Sequence, residues 1–462
     1  MRRLVYGLIC LFSFIVSVPA QSVKDRLNKA FQQLLNDPQI RYGTVGISVV
    51  NSETGQTIFE YNGNVGLAPA SCQKLVTSAT AFELLGASYR YKTELGHDGE
   101  VRDGKLKGNL HITGYGDPTL GSWRYVGTGD TTIIKEWKKR IQDVGIKSID
   151  GKIMVHADSW ETGSVPGGWP WDDMGNYYGA GSYGLNWREN QYDLVLKSGP
   201  NTGDKVLIAK TIPVLHNMIF TNELTAGKKG SGDNAYIYAA PYSERAFIRG
   251  TIPPAQSAFT ISGSMTQPGM QLGYTLSEAL ANGAGKQPGV IEQQTSGKIK
   301  SIHIQYSPVL DSINYWFMRK SVNLYGETLV KTFAFEKSKK GKTEEGLEIM
   351  KDFWKTKGIE PASLRMIDGS GLSPQNRVTT QALVKVLQYA RSRPWYTQYL
   401  AAFPEYNKMK LKSGTIGGSK GFAGYHTSKD GVNYTVAIIV NNYDGSANEI
   451  VRKMFLVLDE LK

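Results

Sequence analysis

Three short groups of residues carry side chains and spacings suited to acyl-transfer chemistry. The first is Ser71-Cys72-Gln73-Lys74, following Ala68-Pro69-Ala70. Pro69 and Ala70 lead into a strongly helical run, which predicts Ser71 at a helix N-terminus with Lys74 on the same face one turn later. A serine hydroxyl is a weak nucleophile and needs a base within hydrogen-bond reach. A lysine can serve if burial and neighbouring positive charge depress its pKa. Amides at the helix start would favour a developing oxyanion. On its own, Ser-x-x-Lys is expected about once by chance in a chain of this composition. The second group is Ser321-Val322-Asn323, on a tight turn between two helical runs. There Ser321 can relay a proton from Lys74 to a leaving group, and Asn323 can hydrogen-bond an amide. The third is Lys412-Ser413-Gly414-Thr415, on a strand-like run. Lys412 supplies positive charge, the hydroxyls of Ser413 and Thr415 can hold a carboxylate, and Gly414 lets a substrate backbone lie along the strand edge. Strand alternation sets Lys412 and Gly414 on the opposite side from Ser413 and Thr415 unless a bulge or twist re-aims them.

In this order the three groups match the Ser-x-x-Lys, Ser-x-Asn and Lys-Thr-Gly signature of penicillin-binding proteins and class A β-lactamases, with Ser413 in place of the threonine. Residues 75–320 separate the first group from the second, far more than a compact β-lactamase needs. Further stretches agree: Gly114-Tyr115-Gly116-Asp117-Pro118-Thr119-Leu120, Ile149-Asp150-Gly151-Lys152-Ile153 with Asp158-Ser159, Pro166-Gly167-Gly168-Trp169-Pro170-Trp171-Asp172-Asp173, and Asp368-Gly369-Ser370-Gly371-Leu372-Ser373. Over essentially all of the chain after the first twenty residues, the sequence resembles the class C low-molecular-weight penicillin-binding proteins of the D-alanyl-D-alanine carboxypeptidase/endopeptidase type, peptidase family S13.

The resemblance implies that Ser71, activated by Lys74, attacks the carbonyl between two D-alanines of a peptidoglycan stem peptide. The oxyanion would sit between the backbone N–H groups of Ser71 and Thr415. Ser321 would protonate the departing amine. Lys412, Ser413 and Thr415 would hold the terminal carboxylate and Asn323 a peptide amide. Water would then release the acyl-enzyme, and β-lactams would acylate Ser71 and leave slowly. No cofactor or metal is implied. Where some members carry an arginine and a glutamine that read the diamino acid of the stem peptide, this chain has Pro374 and Gly417. Asp158 and Arg377 are the candidates to take over that role.

The elements that must position these groups are legible in outline. Residues 25–36 read as a helix, 43–61 as a hairpin with its turn at Ser52-Glu53-Thr54-Gly55, and 71–85 as a helix closed by Gly86. Helical patterns return at 312–337 and 379–391. Strand-like runs at 420–428 and 432–441 and an amphipathic helix at 446–461 close the chain. Between about 93 and 290 lies a Gly-, Tyr- and Trp-rich section of short β-like runs. The implied fold is mixed α/β (α+β): a penicillin-binding transpeptidase-like domain with a central antiparallel sheet flanked by helices, plus two nested, mostly-β inserted domains. The expected division is 21–92 with 293–462 for the catalytic domain, 93–182 with 262–292 for the first insert, and 183–261 for the second.

Residues 1–20, with Arg2, Arg3, an apolar run and Val18-Pro19-Ala20, read as a cleavable secretory signal, which predicts a periplasmic or secreted protein. Past it a single cysteine, Cys72, remains. It can form no internal disulfide, and beside Ser71 on a helix it reads as a packed small residue rather than a nucleophile. The net charge of +12 suits peripheral association with anionic envelope polymers. The basic residues are scattered, without the stripe or motif of a nucleic-acid binder. The six histidines are far apart in sequence, with no His-Glu-x-x-His metallopeptidase helix. Two other readings stand beside the peptidase. A β-lactamase would need a deacylating glutamate after Ser-x-Asn, whereas the nearest string, Glu278-Ala279-Leu280-Ala281-Asn282, precedes it. A non-catalytic envelope-binding protein would have no need for all three groups to be intact.

Overall fold

The computed structural model describes residues 21–281 and 287–462. The expected secretory signal at 1–20 lies outside them.

Runs from both ends of the chain, three of them rich in β-branched residues, build one antiparallel sheet of six strands, in the order Thr57–Tyr61, Thr44–Asn51, Asn433–Asn441, Ser419–Thr427, Met409–Ile416 and Glu405–Tyr406. The strand Asn433–Asn441 is buried along nearly its whole length, so both faces of the sheet are covered. On one face Ile47, Val49, Leu411, Val436 and Ile438 pack with the terminal helices Val23–Leu35 and Ala447–Leu458. Serine caps both helices: Ser22 accepts from the Asp25 amide and Ser446 from the Asn448 amide. Leu27, Phe31 and Leu34 recur at helical spacing and are the buried side chains of the first.

The other face, with Ala423, Ala437 and Ile439, meets the helix Lys74–Leu84, which is buried on every side from Lys74 to Phe82. A helix enclosed in this way must satisfy each of its polar groups internally. Thr77 donates to the Gly369 carbonyl at 2.6 Å, Ser78 donates to Asn314, and Thr80 accepts from the Trp354 indole at 2.9 Å. The surrounding helices are Leu310–Arg319, Asn323–Ser338, Thr343–Thr356 and Thr380–Arg391. Among the described residues no helix is long and apolar enough to cross a membrane.

The middle of the chain forms a five-stranded sheet, a three-stranded sheet centred on Gln191–Ser198, and a four-stranded sheet centred on Arg245–Ile252. Side chains of all three, such as Ile112, Ile153, Leu194 and Ile248, join one continuous buried cluster. Lys300–Tyr306, assigned from the sequence to the catalytic part, pairs with Lys92–His97 in the five-stranded sheet, with Tyr306 opposite Lys92. The insertion thus enters and leaves through two adjacent antiparallel strands, a pairing that the composition of either strand alone does not reveal.

Loop 160–190 of the insertion lies against the helix Asn323–Ser338. Lys331, fully buried in that helix, donates to the Gly163 and Ser182 carbonyls, and Ser182 and Thr328 share a 2.9 Å hydroxyl bond.

Candidate active site

Ser71 does not open an α-helix as the sequence suggested. It sits in a 3₁₀ turn, Ala70–Gln73, and the α-helix begins at Lys74. The turn is tight: Ala70 has φ +46°, in the left-handed region that costs a side-chain-bearing residue energy. Two glycines make room for it. A Cβ on Gly371, itself at φ +85°, would lie 1.9 Å from the Ala70 carbonyl oxygen. A Cβ on Gly414 would lie 2.5 Å from the Pro69 oxygen and 2.9 Å from the Ser71 nitrogen. Gly414 therefore permits the close approach of the nucleophile's own turn.

Lys74 has no exposed surface. Its Nζ lies 2.8 Å from Ser71 Oγ, 2.6 Å from Asn323 Oδ1 and 2.7 Å from the Ser370 carbonyl oxygen. The Asn323 orientation is fixed from its other end, where Nδ2 donates to the Tyr178 carbonyl at 2.8 Å. An ammonium would donate to all three partners. A neutral amine has two N–H groups and one lone pair. Asn323 Oδ1 and the Ser370 oxygen can only accept, so they take both hydrogens and leave the lone pair facing the Ser71 hydroxyl. Burial, and then the nearby Lys412 charge, hold the Lys74 pKa well below the usual lysine range, against the pull of Asp368 and Glu327.

On the far side of the nucleophile, Lys412 Nζ donates to Ser321 Oγ at 3.0 Å and to the Ser413 carbonyl at 2.9 Å. Its pKa is pulled down to about 8 by burial, with Lys420 adding to the effect. Ser321 holds φ +57° on the turn between the helices Leu310–Arg319 and Asn323–Ser338. Such strain in a residue with a Cβ is typical of a side chain aimed at a site.

These residues edge a cleft of about 620 Å³ lined by Ser71, Ser321, Asn323, Thr415 and, from the insertion, Asp173 and Tyr178. The structure thus brings Ser71, Lys74, Ser321, Asn323, Lys412 and Thr415 together. It separates three other expected residues from them. The Ser413 hydroxyl donates to Tyr406 OH at 3.1 Å, and Ser413 does not line the cleft. Asp158 accepts from Thr295 Oγ1 at 2.9 Å within the insertion. Arg377 folds back onto the Pro374 and Asn376 carbonyls at 2.6 and 2.7 Å. Neither Asp158 nor Arg377 lines the cleft. Cys72 is packed, as expected: its thiol donates to the Lys412 carbonyl at 3.4 Å, and burial pushes its pKa up to about 12, which keeps it protonated and unreactive.

The sequence reading missed Glu327, Asp173 and Arg124. Glu327 lies one helical turn after Asn323, an i, i+4 spacing that signals a shared face. It is fully buried and accepts from the Gly369 amide at 2.9 Å. Burial and the Asp368 carboxylate push its pKa up to about 8. Below that value protonation of Glu327 removes its pull on the Lys74 cation, which favours the free amine. Asp173 sat unweighted in a motif already noted for its tryptophans, and Arg124 carried no sequence signal.

The chain matches the model of the D-Ala-D-Ala carboxypeptidase 3 (S13) family over residues 27–460. It is 25% identical to a D-alanyl-D-alanine carboxypeptidase of an Actinomadura species, across 91% of this chain and 82% of that protein. It is 22% identical to the D-alanyl-D-alanine carboxypeptidase DacB of Haemophilus influenzae, across 86% of this chain and 85% of that one. Among solved structures, penicillin binding protein 4 from Haemophilus influenzae superposes with a TM-score of 0.80 at 20% identity, covering 94% of this chain and 98% of its own. With the match spanning all three motif groups and the insertion between them, the chain belongs to the D-Ala-D-Ala carboxypeptidase 3 (S13) family.

Proposed function

We propose that this chain is a serine-type D-Ala-D-Ala carboxypeptidase and endopeptidase that cleaves peptidoglycan stem peptides and cross-links through an acyl-enzyme on Ser71. The observation that carries the reading is the buried Lys74 amine, whose two N–H groups have fixed acceptors and whose remaining lone pair faces Ser71 Oγ at 2.8 Å. Neutral Lys74 takes the Oγ proton as Ser71 attacks the carbonyl carbon. The oxyanion forms beside the Ser71 and Thr415 N–H groups. As the C–N bond breaks, Ser321 gives its proton to the departing amine and takes back the one held by Lys74, which restores the neutral Lys74 amine and leaves Lys412 charged. Water then attacks the ester, with Lys74 again as base, and frees Ser71. Lys412 and Thr415 hold the terminal carboxylate, with Ser413 joining them on rotating away from Tyr406. In the same reading, the division into a catalytic domain and two inserts places the strand Lys300–Tyr306 with the first insert, and the protein works outside the cytoplasmic membrane, on the polymer itself.

The direct test is incubation of purified protein with a D-Ala-D-Ala-terminated stem peptide and with a chromogenic cephalosporin. Free D-alanine is expected from the first and a long-lived covalent adduct from the second. Rapid turnover of the cephalosporin without D-alanine release would mark a β-lactamase.

The pH profile follows from the two lysines. Lys412 must be charged to hold a carboxylate, and its pKa of about 8 means that this charge is lost as pH rises through that value. Acylation by carboxylate-bearing substrates should therefore fall on the alkaline side from about pH 8, while the acid limb reports protonation of Lys74. Lys412→Arg should carry the alkaline limb upward, since arginine keeps its charge. An unmoved limb would remove Lys412 from the role.

Asp173 is the only carboxylate among the described residues that line the cleft. It is the natural partner for a free amine on the stem peptide. Asp173→Asn should weaken kcat/KM for an amine-bearing peptide by roughly tenfold or more, the scale of one charge-assisted hydrogen bond. Peptides with that amine acetylated should be indifferent to the substitution.

A further inference from the structure

Beside the Ser71 cleft lies a second open cleft of about 1030 Å³, and Arg124 lines both. The wall between them is built around one carboxylate. Glu189, with no exposed surface, accepts from Arg124 Nε at 2.8 Å, Ser122 Oγ at 2.6 Å and Tyr325 OH at 2.7 Å. Tyr125 OH in turn donates to Tyr325 OH at 3.2 Å. Tyr325 stands two residues beyond Asn323, so this network ties the second cleft to the catalytic one. Its anchor is held at a conformational cost: Arg188, Glu189 and Asn190 are three consecutive side-chain-bearing residues at φ 54°, 52° and 53°.

The lining decides what kind of molecule fits. Aromatic faces come from Tyr306, Tyr315 and Trp316, with uncharged amides from Gln305 and Gln398. Tyr306 is 55% exposed, so its ring is open to a ligand. The cations are already engaged: Arg124 by Glu189, and Arg90 by the Ser307 carbonyl at 2.6 Å. Asp311 adds a carboxylate of its own. An anionic peptide would meet that carboxylate and find the Arg124 charge already balanced by Glu189. A neutral polyhydroxylated chain would find flat rings for its C–H faces and amides for its hydroxyls.

We infer that the second cleft holds the saccharide backbone of the peptidoglycan strand whose stem peptide occupies the Ser71 cleft. This rests on the peptidase reading and extends it from the peptide to the glycan that carries it. Through Arg124, sugar binding and peptide seating share one wall.

The test uses the full chain and the double variant Tyr306→Ala/Gln398→Ala. Both residues are exposed, so the substitutions leave the core intact. Two substrates are compared: a free D-Ala-D-Ala stem peptide, and the same peptide attached to glycan strands. The variant is expected to lose about tenfold or more in kcat/KM on the glycan-borne peptide, with unchanged rates on the free peptide and unchanged labelling by penicillin. Equal losses on both substrates, or no loss on either, would overturn the inference. Glycan strands stripped of peptide should also bind the wild type in a calorimetric titration and fail to bind the variant. Binding by a free stem peptide that Tyr306→Ala/Gln398→Ala abolishes, with none by stripped glycan, would assign the cleft to a second peptide instead. If the wild type released no D-alanine from free peptide, the peptidase reading would fail, and the stripped-glycan titration would still decide the cleft.

Discussion

Ser71→Ala should leave a folded protein that a labelled penicillin no longer tags and that releases D-alanine at least about 10⁴-fold more slowly than the wild type. The size of the loss follows from the geometry. Lys74 is aimed at one hydroxyl, and no second nucleophile stands in for it. The adjacent Cys72 thiol is buried, donates to the Lys412 carbonyl and has its pKa pushed up to about 12. Lys74→Met should lose most of the same activity, because the hydroxyl would remain without its base. Intact-mass spectrometry after exposure to penicillin, with circular dichroism to verify folding, is the decisive measurement. Tagging of Ser71→Ala at the wild-type rate would end the assignment of the nucleophile.

The largest effect on stability is expected at Asp368. This buried carboxylate accepts from the Gly371 amide at 2.7 Å, the Ser373 amide at 2.6 Å, Asn376 Nδ2 at 3.0 Å, Gln73 Nε2 at 3.0 Å and the Trp169 indole at 2.9 Å. It joins three separate parts of the chain: the helical layer behind Ser71, the loop carrying Gly371, and the insertion through Trp169. Asp368→Ala would leave these donors buried without an acceptor, at about 1–3 kcal/mol for each one that water cannot reach. A loss of at least about 3 kcal/mol in urea unfolding is the expected outcome. Asp368→Asn, which keeps the shape and one acceptor oxygen, should fall between. A variant as stable as wild type would show that the donors find other partners. The rate of acylation should drop with stability, since Lys74 donates to the Ser370 carbonyl in the same loop.

The chemistry was legible in the sequence where a residue's role is local. Ser71 and Lys74 share one turn, Ser321 and Asn323 share another, and Lys412 sits on a strand whose flanking pattern was clear. Motif order implied their meeting in one cleft; in the structure Lys74 bonds to Ser71 and Asn323, and Lys412 bonds to Ser321. Much of the central sheet was legible too, since Thr44–Asn51, Thr57–Tyr61 and Asn433–Asn441 are rich in β-branched residues. What stayed hidden depends on distant packing. Glu327 looks like any helix glutamate until burial and Asp368 raise its pKa. Asp158 and Arg377 were chosen by position along the chain, but the fold spends one on Thr295 and the other on nearby carbonyls. The contact of Gly414 with the Ser71 turn stayed hidden because nothing in a strand pattern discloses what presses against the strand from outside the sheet. The pairing of Lys300–Tyr306 with Lys92–His97 needed the partner strand to be visible.

The sheet that supports this site has a consequence for when activity can begin. Strand Thr44–Asn51 lies beside Asn433–Asn441, with Thr44 opposite Asn441, so the first strand of the described residues pairs with the last. Pairings of such long sequence separation are slow to form. The insertion, with its own continuous buried cluster, can consolidate while the outer strands are still unpartnered. Lys412 and Thr415 arrive with those late strands. A chain truncated before Met409 would thus carry Ser71 and Lys74 without the second wall of the cleft, and the site is complete only once the C-terminal strands have docked.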